Sequence, residues 1–190
     1  MTMTKDEDIV WINQVLDGNA YAFTRLVEKH QDAVFSLVKR IIKRTDEAED
    51  VTQMIFLKAY QSLGSFRGSA LFSTWLSRIA YNTAISEYRK RKAEIIPADD
   101  AIMKRLTAEL PDETEETQTE YMLQLLEKEV ALLPADDQLL LGLYYTQKHS
   151  VEQISNIVSI SVPNVKTKLF RIRKRLLEAI NHKTTQYSMS

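Results

Sequence analysis

The chain has 190 residues, enough for one ordinary domain or two small ones, and its 44% hydrophobic and 27% charged residues suit a folded protein with a buried core. It has no cysteine, which excludes disulfides, thiolate metal sites, iron–sulfur clusters and a cysteine nucleophile. The net charge of −1 conceals segregation: residues 1–20 carry −3, residues 21–92 carry +6, residues 93–137 carry −10 and residues 138–190 carry +6. Two basic blocks flank an acidic one, a pattern that suggests two modules facing a polyanion. The acidic start has no apolar core of a signal peptide, and no run approaches the ~18 apolar residues of a membrane span. A cytoplasmic protein without membrane insertion is expected.

In chain order, the first predicted helix covers Ala22–Ile42. Phe23, Leu26, Val27, Val34, Leu37, Val38, Ile41 and Ile42 recur there at helical spacing. Asp46 with Glu49 has the spacing of a capping box for the next helix, which carries Val51, Met54, Ile55, Leu57, Ala59 and Tyr60 and stops near Gly64. Along that helix Asp50, Gln53, Phe56 and Tyr60 form a stripe. It reads equally as a docking surface for a partner helix or as the edge of a core.

A third helix is expected over Ser73–Lys92. Around it, Phe66, Phe72, Trp75, Tyr81 and Tyr88 interleave with Arg67, Arg78, Arg89, Lys90, Arg91 and Lys92. Cations can follow a nucleic-acid backbone while aromatic faces accept unstacked bases, each worth about 1–3 kcal/mol. The loop Gly64–Ala70, with Arg67 and Ser69, is the candidate pocket because its backbone is free of helix bonds.

Residues 93–119 hold Pro97, Pro111 and an excess of acids, and read as a flexible linker with one short helix near Ala101–Leu110. Helix resumes over Glu120–Leu133, breaks at Pro134 and continues over Asp136–Tyr145. A short helix with Val151, Ile154, Ile157 and Val158 facing inward then leads through Ser159–Ser161 into a long one. The long helix buries Val165, Leu169, Ile172, Leu176 and Ile180. This is the pattern of a helix-turn-helix. Its second helix carries Lys166, Lys168, Arg171, Arg173, Lys174 and Arg175 with no acid before Glu178. Asn164, Lys166 and Lys168 are candidates for reading base edges, and Arg171, Arg173, Lys174 and Arg175 for phosphates. No sheet pattern occurs, so the expected fold is all-α: two small helical domains joined by the acidic linker.

No catalytic constellation stands out. His30, His149 and His182 lie in separate segments, and the sequence holds no HExxH, Gly-rich phosphate loop or GxSxG. Glu113–Glu116 reads as a solvated acid cluster. No enzyme activity, metal or cofactor is expected.

The stretches AFTRLVEKH, EAEDVTQMIFLKAYQSL, SFRGSALFSTWLSRIAYNTA and VKTKLFRIRKRL, in this order, resemble the bacterial extracytoplasmic-function group of RNA polymerase sigma factors. The resemblance spans about residues 8–180. It implies region two within residues 1–92, the linker at 93–119 and region four within 120–190. It also implies core RNA polymerase and promoter DNA as partners, and an anti-sigma factor as regulator. Asp50, Gln53, Phe56 and Tyr60 would then dock on the polymerase clamp. Phe66, Arg67, Ser69, Phe72, Trp75, Arg78, Asn82 and Arg89 would melt and read the minus-ten element. The Val162–Arg175 helix would read the minus-35 duplex, and the linker would occupy a basic polymerase channel later used by RNA. The chain departs from the family pattern at Met54, at Ser159 in the turn, and at Pro163 and Asn164 where the recognition helix begins. The alternative is a stand-alone helix-turn-helix regulator binding operator DNA.

Overall fold

The computed structural model describes residues 4–95 and 118–187. The larger part of the acidic segment, including the helix expected at Ala101–Leu110 and the channel-filling role, lies outside the described residues. Those described form helices joined by turns, with no strand among them.

The N-terminal unit is built from α1 (Thr4–Leu16), α2 (Ala22–Lys39), α3 (Thr45–Ser62), a 3-10 turn at Leu63–Ser65 and α4 (Phe72–Ile95). The apolar spacing in α2 turns Leu26, Val34, Leu37 and Val38 inward, where they meet Val51, Ile55 and Ala59 of α3 and Leu76, Ala80 and Ala84 of α4. Alanines at three of these positions let helix axes approach closely. Each fully buried leucine or isoleucine contributes about 1.5–3 kcal/mol.

α1 was not foreseen, although Ile9, Ile12 and Val15 recur at intervals of three and Ile12 is buried. The capping box at Asp46 does not form. α3 starts two residues earlier, from an extended Arg44 at its N-cap, and Asp46 lies inside its first turn. Arg44 occupies that carboxylate instead, through Nη2 at 2.6 Å and Nε at 3.3 Å. The negative charge still favours the helix start. α4 also runs to Ile95, three residues into the expected linker.

The C-terminal unit contains α5 (Gln118–Ala131), α6 (Ala135–Leu141), a π-type turn at Gly142–Thr146, α7 (Val151–Val158) and α8 (Val162–Tyr187). Pro134 breaks the chain between α5 and α6 as expected. The Gln138 amide secures the break by donating to the carbonyls of Ala131 at 3.1 Å and Leu133 at 2.8 Å. Leu139, Leu140 and Leu143 pack with Ile154, Ile157, Val165, Leu169 and Ile172.

The units meet where α4 lies along α6 and α7. Gly142 is the tight point: a β-carbon there would stand 2.5 Å from Arg40 Nε, 2.6 Å from Arg40 Cδ and 3.2 Å from Leu37 Cδ1. The φ of Gly142, −59°, is ordinary helix, so what favours glycine is this approach: any side chain there would make Arg40 shift.

Candidate nucleic-acid and docking surfaces

The helix-turn-helix is held by local hydrogen bonds. Ser150 caps α7 reciprocally: its Oγ accepts from the Gln153 amide at 3.2 Å, and Gln153 Oε1 accepts from the Ser150 amide at 2.8 Å. Ser159 turns the chain in the left-handed region, with φ of 57°, and Ser155 Oγ donates to the Ile160 carbonyl at 2.5 Å. α8 then starts at Val162 with Pro163 in its first turn, where a missing amide costs no intrahelical bond.

Val165, Leu169, Ile172 and Leu176 are buried, and Ile180 is half-buried. Asn164, Lys166, Lys168, Arg171, Arg173, Lys174 and Arg175 are all exposed. Three of the cations have partners. Lys168 lies 3.3 Å from Asp137, and Lys174 lies 3.7 Å from Glu178. Arg173 Nε donates to the Tyr145 hydroxyl at 2.7 Å, and its guanidinium stands 5.3 Å from the Tyr144 ring centre and 5.6 Å from that of Tyr145. The hydrogen bond to Tyr145 raises the Arg173 pKa above its ordinary value. Lys166, Arg171 and Arg175 make no ion pair among the described residues. Phe170 and Leu177, absent from the sequence reading, are exposed one face away from the buried stripe.

In the N-terminal unit an aromatic cluster closes the loop before α4. Phe66 stands edge-on to Phe72 at 5.7 Å and to Trp75 at 5.5 Å, and Phe72 lies 5.6 Å from Trp75. Phe66 and Trp75 are half-exposed, whereas Phe72 is buried. Phe72 therefore forms the floor of the cluster, not an open contact, because α4 begins at this residue and turns it onto the core. Gly68, with φ of +68°, lets the loop turn back beside them and leaves Arg67 and Ser69 exposed. Arg78, Asn82 and Arg89 continue along α4 at spacings of four and seven, one exposed track leading from the cluster. Arg89 reaches Asp136 of the other unit at 3.4 Å.

α3 shows a different face. Asp50, Gln53 and Tyr60 are exposed, and Tyr60 rests edge-on against Phe23 at 5.1 Å. Phe56 is only 7% exposed and belongs to the core, which corrects the expectation that it docks a partner. A step of three from Gln53 rotates Phe56 inward, and a step of four brings Leu57 onto the Asp50–Gln53 line instead. Leu57 is 57% exposed. The open stripe is Asp50, Gln53, Leu57 and Tyr60.

Between the units lies a polar seam. The Tyr81 hydroxyl donates to Asp136 at 2.9 Å; burial first, and then this carboxylate, push its pKa far up. Ser77 Oγ lies 3.1 Å from both Gln147 Oε1 and His149 Nε2, and Gln147 Nε2 donates to the Ala33 carbonyl at 2.9 Å. Burial lowers the pKa of His149. Arg40 donates to Thr146, while its own Nε is buried without a partner, and burial lowers its pKa. A cavity of about 240 Å³ opens beside the seam, lined by Tyr81, Asp136, Leu140, Val158, Ile160 and Lys168.

Comparison with known proteins accounts for both units. Residues 26–94 match Sigma-70 region 2, and residues 123–176 match Sigma-70, region 4. The RNA polymerase sigma-H factor of Pseudomonas aeruginosa is 32% identical, over 94% of this chain and 96% of its own. The ECF RNA polymerase sigma-E factor of Escherichia coli is 33% identical, over 93% of each chain.

The chain belongs to the extracytoplasmic-function sigma factors.

Its fold agrees with that assignment. CnrH, solved in complex with the cytosolic domain of CnrY, superposes with a TM-score of 0.67 at 20% identity, covering 93% of this chain and 99% of that one. The sigma factor RpoE from Bartonella quintana, solved with the anti-sigma factor NepR, gives 0.65 at 24% identity, covering 84% and 96%. This sigma factor directs transcription initiation, and among its described residues no helix is long and apolar enough to cross a membrane.

Proposed function

We propose that this sigma factor divides promoter recognition between the surfaces described above. Residues 1–92 and 120–190 act as the two recognition units, with 93–119 as the connector. The observation that carries the reading is the pairing of an exposed cationic α8 in one unit with an aromatic cluster leading onto the Arg78–Asn82–Arg89 track in the other. α8 enters the minus-35 major groove. Asn164, Lys166 and Lys168 face base edges, and Arg171, Arg173, Lys174 and Arg175 take phosphates. Phe66 and Trp75, with Arg67 and Ser69 at the loop rim and Phe72 beneath, receive a base that has left the stack. Stacking at about 1–3 kcal/mol per base offsets unpairing of a few kcal/mol. Arg78, Asn82 and Arg89 guide the separated strand.

Asp50, Gln53 and Tyr60, together with Leu57, dock on core RNA polymerase, which then presents both units to one promoter at high effective concentration. Phosphodiester chemistry belongs to the polymerase, so this chain is a cytoplasmic binding protein and not an enzyme. An anti-sigma factor is the expected antagonist, as the RpoE–NepR complex illustrates for that relative.

Transcription with purified core polymerase and a randomised promoter library tests the reading. Transcripts starting at selected sequences, lost in Trp75→Ala and weakened in Arg171→Ala, are expected. The Arg171→Ala protein should also lower the salt dependence of duplex binding by about one unit of slope. Tight operator binding by the free protein, without any response from polymerase, would establish the stand-alone regulator instead.

A further inference from the structure

α1 carries none of the residues assigned above, yet one of its side chains is tied to the aromatic cluster by way of α2. Its Asp8 is buried, and it is matched from α2. Lys29 Nζ lies 2.9 Å from Oδ1, and His30 Nε2 lies 3.3 Å from Oδ1 and 3.2 Å from Oδ2. Burial alone would raise the Asp8 pKa, but the hydrogen bonds from His30 and Lys29 prevail and hold it below the ordinary carboxylate range. The carboxylate therefore remains a charged acceptor, and a single imidazole nitrogen shared between its two oxygens fixes the plane of the ring. The same ring stands edge-on to Phe72 at 5.3 Å. Phe72 is the buried floor on which Phe66 and Trp75 rest. α1 also packs against the Leu63–Ser65 turn that launches the loop. An apolar side chain at position 30 would fill the space beneath Phe72. It would offer nothing to the buried carboxylate and no fixed ring plane.

We propose that His30, oriented by Asp8, is a positioning residue for base capture: it sets the tilt of Phe72 and so holds Phe66 and Trp75 as a preformed slot for an unstacked base. This rests on the base-capture reading of the cluster. Preformation matters because a slot that must be ordered by its ligand loses affinity to that ordering.

The test uses the full chain carrying Trp11→Phe, so that Trp75 is the sole tryptophan. Three further variants are compared: Asp8→Asn, which keeps the shape and removes the charge; His30→Phe, which keeps a ring and removes the donor; and His30→Gln, which keeps a donor and removes the ring. The probe is a single-stranded oligonucleotide bearing the non-template minus-ten stretch of a promoter selected with wild-type holoenzyme. All three variants should bind it about tenfold more weakly and show shifted Trp75 emission without DNA. Minus-35 duplex affinity and core polymerase affinity should stay at the level of the Trp11→Phe parent.

Parent-like emission and strand affinity in Asp8→Asn and His30→Phe would overturn the proposal. So would a parallel loss of strand, duplex and polymerase binding, which marks a merely structural role. Failure of the underlying reading looks different: the parent's Trp75 emission would ignore the strand, while the emission shift among the variants would persist.

Discussion

Substitutions at neighbouring positions of α3 separate its core from its docking face. Phe56 is 7% exposed, and removing its ring leaves a cavity in the core. Phe56→Ala should cost about 3–5 kcal/mol, a large share of the ~5–15 kcal/mol that holds a typical domain together. Leu57 is 57% exposed, so Leu57→Ala removes little that folding has buried. With helix propensity nearly unchanged, its effect on stability should stay within about 0.5 kcal/mol. Covering the open half of that side chain in a polymerase interface should be worth about 1–1.5 kcal/mol, half of a full leucine burial, so affinity should fall about 5–10-fold. Urea unfolding and titration against core polymerase measure the two quantities. The reasoning is refuted if Leu57→Ala unfolds the protein as readily as Phe56→Ala, or if it binds polymerase like the parent.

Gly142→Ala should push the Arg40 side chain from its place beside Thr146 and loosen the contact between the units, because the new β-carbon would sit 2.5 Å from Arg40 Nε. The chain has no cysteine of its own, so labels on Thr24→Cys and Glu178→Cys can report the separation. A longer label distance with thermal stability kept is expected, and an unchanged distance refutes the close seat. His149 is buried in the seam with its pKa below the ordinary 6.5, so the unfolded chain binds the proton first. Stability should therefore fall as pH drops below 6.5, and this slope should be missing in His149→Gln. A flat profile for the parent would contradict the burial of a neutral ring. Ser159→Gly should raise stability by about 0.5–1 kcal/mol, since relief of a left-handed φ outweighs the extra chain entropy of glycine. Chemical denaturation with both proteins checks the sign.

The amino-acid pattern alone determined the helical character, the order of the two units and the cationic helix of the second. These rest on local physics. Apolar residues at intervals of three and four must share a helix face, Pro134 must interrupt a helix, and six cations without an acid before Glu178 must leave one face basic. The same logic was blind to α1, whose few apolar residues carry too little periodic signal beside its acids and whose Asp8 looks solvated until α2 supplies Lys29 and His30.

Only tertiary packing decided which side of α3 is open. Phe56 and Leu57 are both apolar and adjacent, and a helix rotates 100° per residue, so the position of α2 and α4 selects between them. Packing also turned Phe72 into a floor beneath Phe66 and Trp75, and it brought Gly142 onto Arg40 across more than a hundred residues of chain. Contacts between distant segments depend on where whole helices come to rest. Spacing within one helix holds no record of that.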